Sequence, residues 1–333
     1  MSRVEASANG GCSLNMAHRL LVRLLLVCTI LAILDFTKAQ NVYLSTDSQE
    51  NSPPSIHVNS NLVVIPVTVV DRDDRSVIGL NKNSFRLYDE KAEQVITHFW
   101  MEDGPIAVGF LFDASSSMAR KIRKAREAVS VFLRAASPSD QFLLVEFNDQ
   151  VDLLLGLTNK AEEIQKQLAF VQPKGRTALL DAIDFSIHEI RHAHSLRKAL
   201  VIVSDGGDNC SRRTISEVKN LVRESEVQIF ALGIFDSGEL RAQTLEEQGG
   251  PTLLREVAKQ SGGQLFEIKD LGELPGVAAK IGNALRTQYM LGYTPAKPQL
   301  DGKYHRVSVK VAQPKGFSRL RASWRRGYYA PVE

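Results

Sequence analysis

Cysteine is scarce in this 333-residue chain: only Cys12, Cys28 and Cys210 are present. That excludes a disulfide scaffold, and no Cys/His cluster has the spacing of a structural zinc ribbon. An excess of one charge is also missing. Lys and Arg total 41 against 38 Asp and Glu, a net charge of +3. This excludes a polybasic nucleic-acid coat and an acidic solvating tail. The apolar run Leu24–Leu34 holds eleven residues, too few to span a bilayer as a helix. No GxSxG elbow, GxxxxGK[ST] loop or HExxH pair occurs, so serine-hydrolase, P-loop and zincin readings have no anchor. Internal repeats and coiled-coil heptads are absent.

What is present suits a folded protein. Hydrophobic residues make up 44% and charged residues 24%, enough for one large domain or two modest ones. Arg19 and Arg23 precede the apolar run, and Thr37-Lys38-Ala39 follows it with a small residue at its end. Residues 1–39 therefore read as a signal peptide cleaved before Gln40. Export places the chain in the periplasm, cell envelope or medium. Retention of the segment as an anchor stays open. Cleavage removes Cys12 and Cys28 and leaves one thiol, so no internal disulfide forms.

Four segments follow. Residues 40–56 are polar and contain Pro53-Pro54, as in a flexible linker. Residues 57–104 carry β-prone runs at Leu62–Val70, Phe85–Asp89 and Val95–Trp100. Residues 105–286 alternate strand and helix, with a helix expected to start at Pro251. That alternation argues an α/β fold: a doubly wound, mainly parallel sheet with helices on both faces. Residues 287–333 return to strands at Tyr289–Tyr293, Arg306–Val311 and Leu320–Trp324. Each β piece has too few strands to stand alone. The expectation is that the two join into one small β domain, a sandwich or barrel, with the α/β domain inserted between them.

The sharpest chemical signal is Phe110-Leu111-Phe112-Asp113-Ala114-Ser115-Ser116-Ser117. A hydrophobic strand ends in an acid, and hydroxyls follow at alternate positions. Open α/β sheets bind ligands beyond the carboxyl ends of their strands. An acid and two hydroxyls there are hard oxygen donors, suited to Mg²⁺ or Mn²⁺. Thr177 adds a hydroxyl on a glycine-containing loop before a helix. Asp205 ends a second buried strand, Leu200–Ser204. In a parallel sheet the two strand ends share an edge, so Asp113, Ser115, Ser117, Thr177 and Asp205 can converge on one ion.

These residues resemble the von Willebrand factor A domain family over about residues 105–285. Asp113, Ser115 and Ser117 match its DxSxS element, and Thr177 in GRTALLDAI and Asp205 in VSDGGDN match the two remaining metal positions. The flanks, among them the closing RRGYYAP, are similar to those of exported bacterial proteins that carry this domain. The resemblance implies a metal-ion-dependent adhesion site. In such a site the protein leaves one coordination position open and a partner's Asp or Glu carboxylate fills it. Ala119-Arg120-Lys121 follow DxSxS where some integrin relatives carry more acids, which implies a single ion.

Competing readings stay open. Asp113, Thr177, Asp205 and Asp208 can be fitted to a Mg²⁺-dependent phosphatase of the haloacid dehalogenase type, with Lys198 as its lysine. Ser115 stands where that scheme wants a second carboxylate. A structural envelope protein with a degenerate site is a third reading. His188, His192 and His194 form a second cluster, read as a solvated helix face. Residues 295–333 hold nine basic and two acidic residues, a candidate patch for anionic polysaccharide or lipid.

Overall fold

The computed structural model describes residues 62–235, 245–268, 270–295, 300–313 and 319–332. The expected signal peptide and linker lie outside the described residues. No helix among the described residues is long and apolar enough to cross a membrane.

The strand at the heart of the chain is β5 (Ile106–Asp113), whose eight residues are all buried. Burial on both faces explains its continuous apolar sequence. It lies between two parallel neighbours, β6 (Gln141–Phe147) and β8 (Arg197–Ser204). Beyond β8 come β9 (Gln228–Ile234) and β10 (Leu265–Ile268), also parallel. Beyond β6 comes the antiparallel edge strand β7 (Val151–Thr158).

Helices cover both faces of this six-stranded sheet. On one face, α1 (Ile122–Arg134), α2 (Ala161–Phe170) and α6 (Leu274–Arg286) pack Val129, Phe132, Leu168 and Ile281 against Phe110, Phe112 and Val201. On the other, α3 (Leu179–Ile190), α4 (Ile215–Ser225) and α5 (Leu245–Ser261) pack Ile183, Val222 and Val257 against Leu111, Leu143 and Ile202. The odd and even residues of β5 thus serve opposite layers, as the period of a strand requires. Pro251 lies inside α5, not at its start. Helix formation continues upstream through Gly249-Gly250, and the proline costs the helix a backbone donor.

The flanking segments fold together. β1 (Val63–Val70) pairs antiparallel with β11 (Gln288–Tyr293) on one side and β13 (Arg321–Trp324) on the other, and β11 also pairs with β4 (His98–Glu102). A second antiparallel sheet runs β14 (Gly327–Tyr329), β12 (Tyr304–Val311), β2 (Phe85–Asp89), β3 (Ala92–Gln94). The alternating burial of β2 and β12 gives each one inward face. Ile65, Val67, Leu87, Tyr289, Leu291 and Val309 from both ends of the sequence share one core, as in a sandwich of two sheets. The α/β unit leaves at β4 and returns at β11. These strands are neighbours, with Glu102 opposite Gln288. Arg197 closes the junction by donating to the carbonyls of Glu102 (3.2 Å), Leu285 (3.0 Å) and Gly104.

A buried carboxylate organises the sandwich. Asp89 Oδ2 accepts hydrogen bonds from Tyr293 Oη at 2.9 Å and Tyr328 Oη at 3.0 Å. Burial and the adjoining Asp89 push both phenols well above their usual range. Asp89→Ala strands two buried hydroxyls, each costing roughly 1–3 kcal/mol when unpaired. The expected loss of stability, about 2–4 kcal/mol, is measured by urea denaturation followed by tryptophan fluorescence. A loss under about 0.5 kcal/mol contradicts the assignment.

Candidate metal centre

Strand register sets the site. Phe112 on β5 lies opposite Val203 on β8, so the next residues, Asp113 and Ser204, leave the sheet side by side, and Asp205 follows at once. This is also where the chain connections diverge to opposite faces, the crevice that open α/β sheets offer to ligands. Three loops then lock together. Ser116 N–H donates to Gly175 O at 3.2 Å and Lys174 N–H to Ala114 O at 2.8 Å. Thr177 N–H donates to Asn209 Oδ1 at 3.0 Å, and Asn209 N–H returns to Thr177 O at 3.0 Å. The DxSxS loop, the Thr177 loop and the Asp205 loop are thus joined by the backbone itself.

Asp113 is fully buried. Its Oδ1 accepts from Ser115 N–H at 2.9 Å, and its Oδ2 from Ser204 Oγ. Ser204 Oγ in turn accepts from Gly206 N–H at 2.8 Å. The hydroxyls of Ser115 and Ser117 are 3.1 Å apart. Asp205 is 6% exposed. Its Oδ2 is 3.2 Å from Lys121 Nζ, and its Oδ1 is buried without a hydrogen-bond partner. Thr177 is buried beside Asn209. Gly206 has φ +81°, and a Cβ there would meet the Gly250 carbonyl oxygen at 2.7 Å. Only glycine holds the Asp205 loop this close to α5.

The electrostatics ask for a cation. Burial, and then the nearby Asp205 carboxylate, raise Asp113 from its usual 3.8 to about 7, against the lowering effect of its hydrogen bonds from Ser115 and Ser204. A buried Asp205 oxygen with no donor is costly unless something coordinates it. The donor set is two carboxylates and three hydroxyls, all hard oxygens that fit Mg²⁺ or Mn²⁺. Among the described residues no group of three or more His, Cys, Asp or Glu is placed to hold a metal. Any ion here therefore depends on the hydroxyls.

Other candidate residues fall elsewhere. Asp208 Oδ1 accepts from Leu180 N–H at 3.2 Å and Ser211 Oγ at 2.6 Å, so it ties down the start of α3. Asp181 accepts from the backbone N–H groups of Arg212 and Arg213, a loop anchor beyond the helix-dipole role that its position suggests. Lys198 pairs with Ala107 near the start of β5, at the opposite end of the strand from Asp113. Of the three histidines only His188 lies on α3, and its Nδ1 bonds the Asp184 carbonyl at 2.8 Å. In the C-terminal segment Arg321 pairs with Asp74 and Arg325 with Glu226, while Arg326 and Lys310 lie over the rings of Trp324 and Tyr88. Sequence reasoning missed two members of the site. Ser204 was hidden as the last residue of an apolar strand, and Lys121 reads as an ordinary polar residue before an amphipathic helix.

The family model described as von Willebrand factor type A domain matches residues 107–280. An uncharacterized protein of Borreliella burgdorferi is 21% identical over 168 residues, covering 46% of this chain and 49% of that protein. Inter-alpha-trypsin inhibitor heavy chain H2 of Sus scrofa is 26% identical over 150 residues, covering 40% of this chain and 16% of that protein. The chain thus spans about half or less of the length of these relatives. Among solved structures, a von Willebrand factor type A protein from Catenulispora acidiphila gives a TM-score of 0.47 at 14% identity, over 75% of this chain and 76% of that one. Proximal thread matrix protein 1 of the mussel byssus, described with a zinc-occupied MIDAS motif, gives 0.47 at 20% identity, over 58% of this chain and 48% of that one.

The raised Asp113 carboxyl makes a prediction with a definite sign. The folded chain holds a proton that the unfolded chain releases above about pH 4. The contribution of Asp113 to ion-free stability is therefore fully present below about pH 4 and is lost as pH rises toward about 7. Denaturation at intervals across this window, wild type minus Asp113→Asn, is expected to show that decline. Saturating Mn²⁺ is expected to remove it by displacing the proton. A difference that stays flat across the window contradicts the electrostatic picture.

Proposed function

Because the chain belongs to the von Willebrand factor type A domain family, we propose that it is an exported, non-enzymatic adhesion module that grips a protein partner through one divalent ion. Asp113, Ser115, Ser117, Thr177 and Asp205 hold Mg²⁺ or Mn²⁺, and the partner supplies an Asp or Glu carboxylate. The bound ion supplies a positive centre that an incoming anion neutralises. The chain's own residues fix where that centre stands. Asp113 is held by two hydrogen bonds, and Ser115 and Ser117 present adjacent oxygens.

The observation that carries this reading is the buried, unpartnered Oδ1 of Asp205, on the same sheet edge as the paired serine hydroxyls. Asp89 Oδ1 in the sandwich is also buried without a hydrogen-bond partner, so what sets Asp205 apart is the neighbouring hydroxyls and the second buried carboxylate, Asp113. The phosphatase reading has less support: Ser115 takes the place of its acid–base carboxylate, and Lys198 stands at the far end of the strand. A polyanion contact through the C-terminal segment is weakened by the internal partners of Arg321 and Arg325.

Titration calorimetry with Mn²⁺ tests the assignment. Wild type is expected to bind one ion, and Thr177→Ala to lose at least about tenfold in affinity with its fold intact. Capture of partner proteins is expected to disappear in EDTA and return with Mg²⁺. Equal Mn²⁺ binding by both proteins removes Thr177 from the site. Chelator-resistant capture removes the ion from the function.

A further inference from the structure

At the end of the α/β sheet away from the proposed ion, the sheet built on β1 and β11 faces the amino-terminal ends of β8 and β9. The two surfaces leave a cavity of about 830 Å³ between them. That volume suits a small molecule, and such sites favour junctions of this kind. One wall is apolar. Pro66 on β1 stands opposite Met290 on β11, and Met290 opposite Trp100 on β4. Residues paired in this way share one face of a sheet, and all three line the cavity. Ile65, Val67 and Leu291, their neighbours along the strands, point the other way into the sandwich core.

The opposite wall is polar and short of acceptors. Lys198 at the start of β8 and Arg223 in the last turn of α4 line it half-buried, and neither forms an ion pair among the described residues. The Arg223 guanidinium lies over the Tyr304 ring, and its Nε is buried without an acceptor. Gln228, buried at the start of β9, accepts from Gln288 Nε2 and leaves its own Nε2 without an acceptor. These donors come from neighbouring elements, since Ala199 stands opposite Gln228 and α4 leads directly into β9. Arg126 and Arg286 also leave an Nε unpaired; what marks this wall is that three such side chains converge on one cavity. The other charges lining it are largely spent. Arg197 serves three carbonyls, Glu102 accepts from Trp100 and Gly104, and Glu226 pairs with Arg325. Glu224 alone remains, exposed, against two cations. We propose that the cavity binds a small amphipathic carboxylate, with its acid head on Lys198 and Arg223 and its apolar body along Pro66, Met290 and Trp100. Charge-assisted hydrogen bonds fix the head, and burial of the body adds the hydrophobic contribution. Neither Asp113 nor Asp205 lines this cavity, so the proposal stands apart from the metal centre.

Sodium decanoate is the probe, titrated into the purified protein below its micelle concentration. EDTA is present throughout, so that no ion at the sheet-edge acids takes the carboxylate. Trp100 and Trp324 are the two tryptophans of the chain, so their emission reports on the cavity wall. Wild type is expected to bind decanoate saturably, with an emission change that Trp100→Phe removes. Decyltrimethylammonium, the same chain with the opposite charge, is expected to bind at least about tenfold more weakly. The double variant Lys198→Gln, Arg223→Gln is expected to lose at least about tenfold in decanoate affinity. If it fails to fold by circular dichroism, Lys198→Gln alone takes its place, with a loss of about threefold or more. No saturable decanoate binding by wild type overturns the proposal, as does equal binding of the two amphiphiles or undiminished binding by the folded variant. An emission change that survives Trp100→Phe places the ligand elsewhere and overturns it too.

Discussion

Two carboxylates are buried at the carboxyl ends of adjacent parallel strands, and their mutual repulsion is the constraint around which the rest of this protein is built. Asp113 is fully buried and Asp205 nearly so. In a low-dielectric interior such a pair is tolerable only with protons, hydrogen bonds or cations to offset it. The chain supplies all three. Asp113 shifts toward its protonated form, Ser115 and Ser204 donate to it, and Lys121 sits against Asp205. One oxygen of Asp205 stays without a donor, and the hydroxyls of Ser115 and Ser117 lie on the same edge. The proposed ion site rests on that incomplete compensation.

The scaffold explains how the strain is held. β5 and β8 are buried on both faces between helical layers, so neither carboxylate can move outward by fraying of its strand. The loops beyond them are bonded to one another through Lys174, Ser116, Thr177 and Asn209. The β sandwich closes the opposite end of the α/β unit, at the β4–β11 pair and Arg197. The proposed ion site and the sandwich thus lie at opposite ends of the α/β sheet.

Much of this was legible in the sequence for physical reasons. Ile106–Phe112 and Leu200–Val203 are continuous apolar runs because their strands are buried on both faces. The acids that follow mark the sheet edge, so the five proposed ion ligands could be placed on a common edge before any coordinates. The short strands β3, β10 and β14 and the helix α2 left little trace. α2 buries only Ile164 and Leu168, too sparse a stripe to show a period. Pro251 misled because a proline more often opens a helix than interrupts one. The role of Lys121 was not legible at all: nothing in RKIRKAREAV separates the one buried lysine from its exposed neighbours, and only the turn at Met118 aims it inward.

The central claim is that one divalent ion sits among Asp113, Ser115, Ser117, Thr177 and Asp205. The most direct measurement is a crystal structure of the Mn²⁺-soaked protein with anomalous diffraction at the manganese edge. The account predicts a single strong anomalous peak within coordination reach of those five side chains, with Lys121 still against Asp205. A map with no peak there, or with its peak at another site, would contradict it.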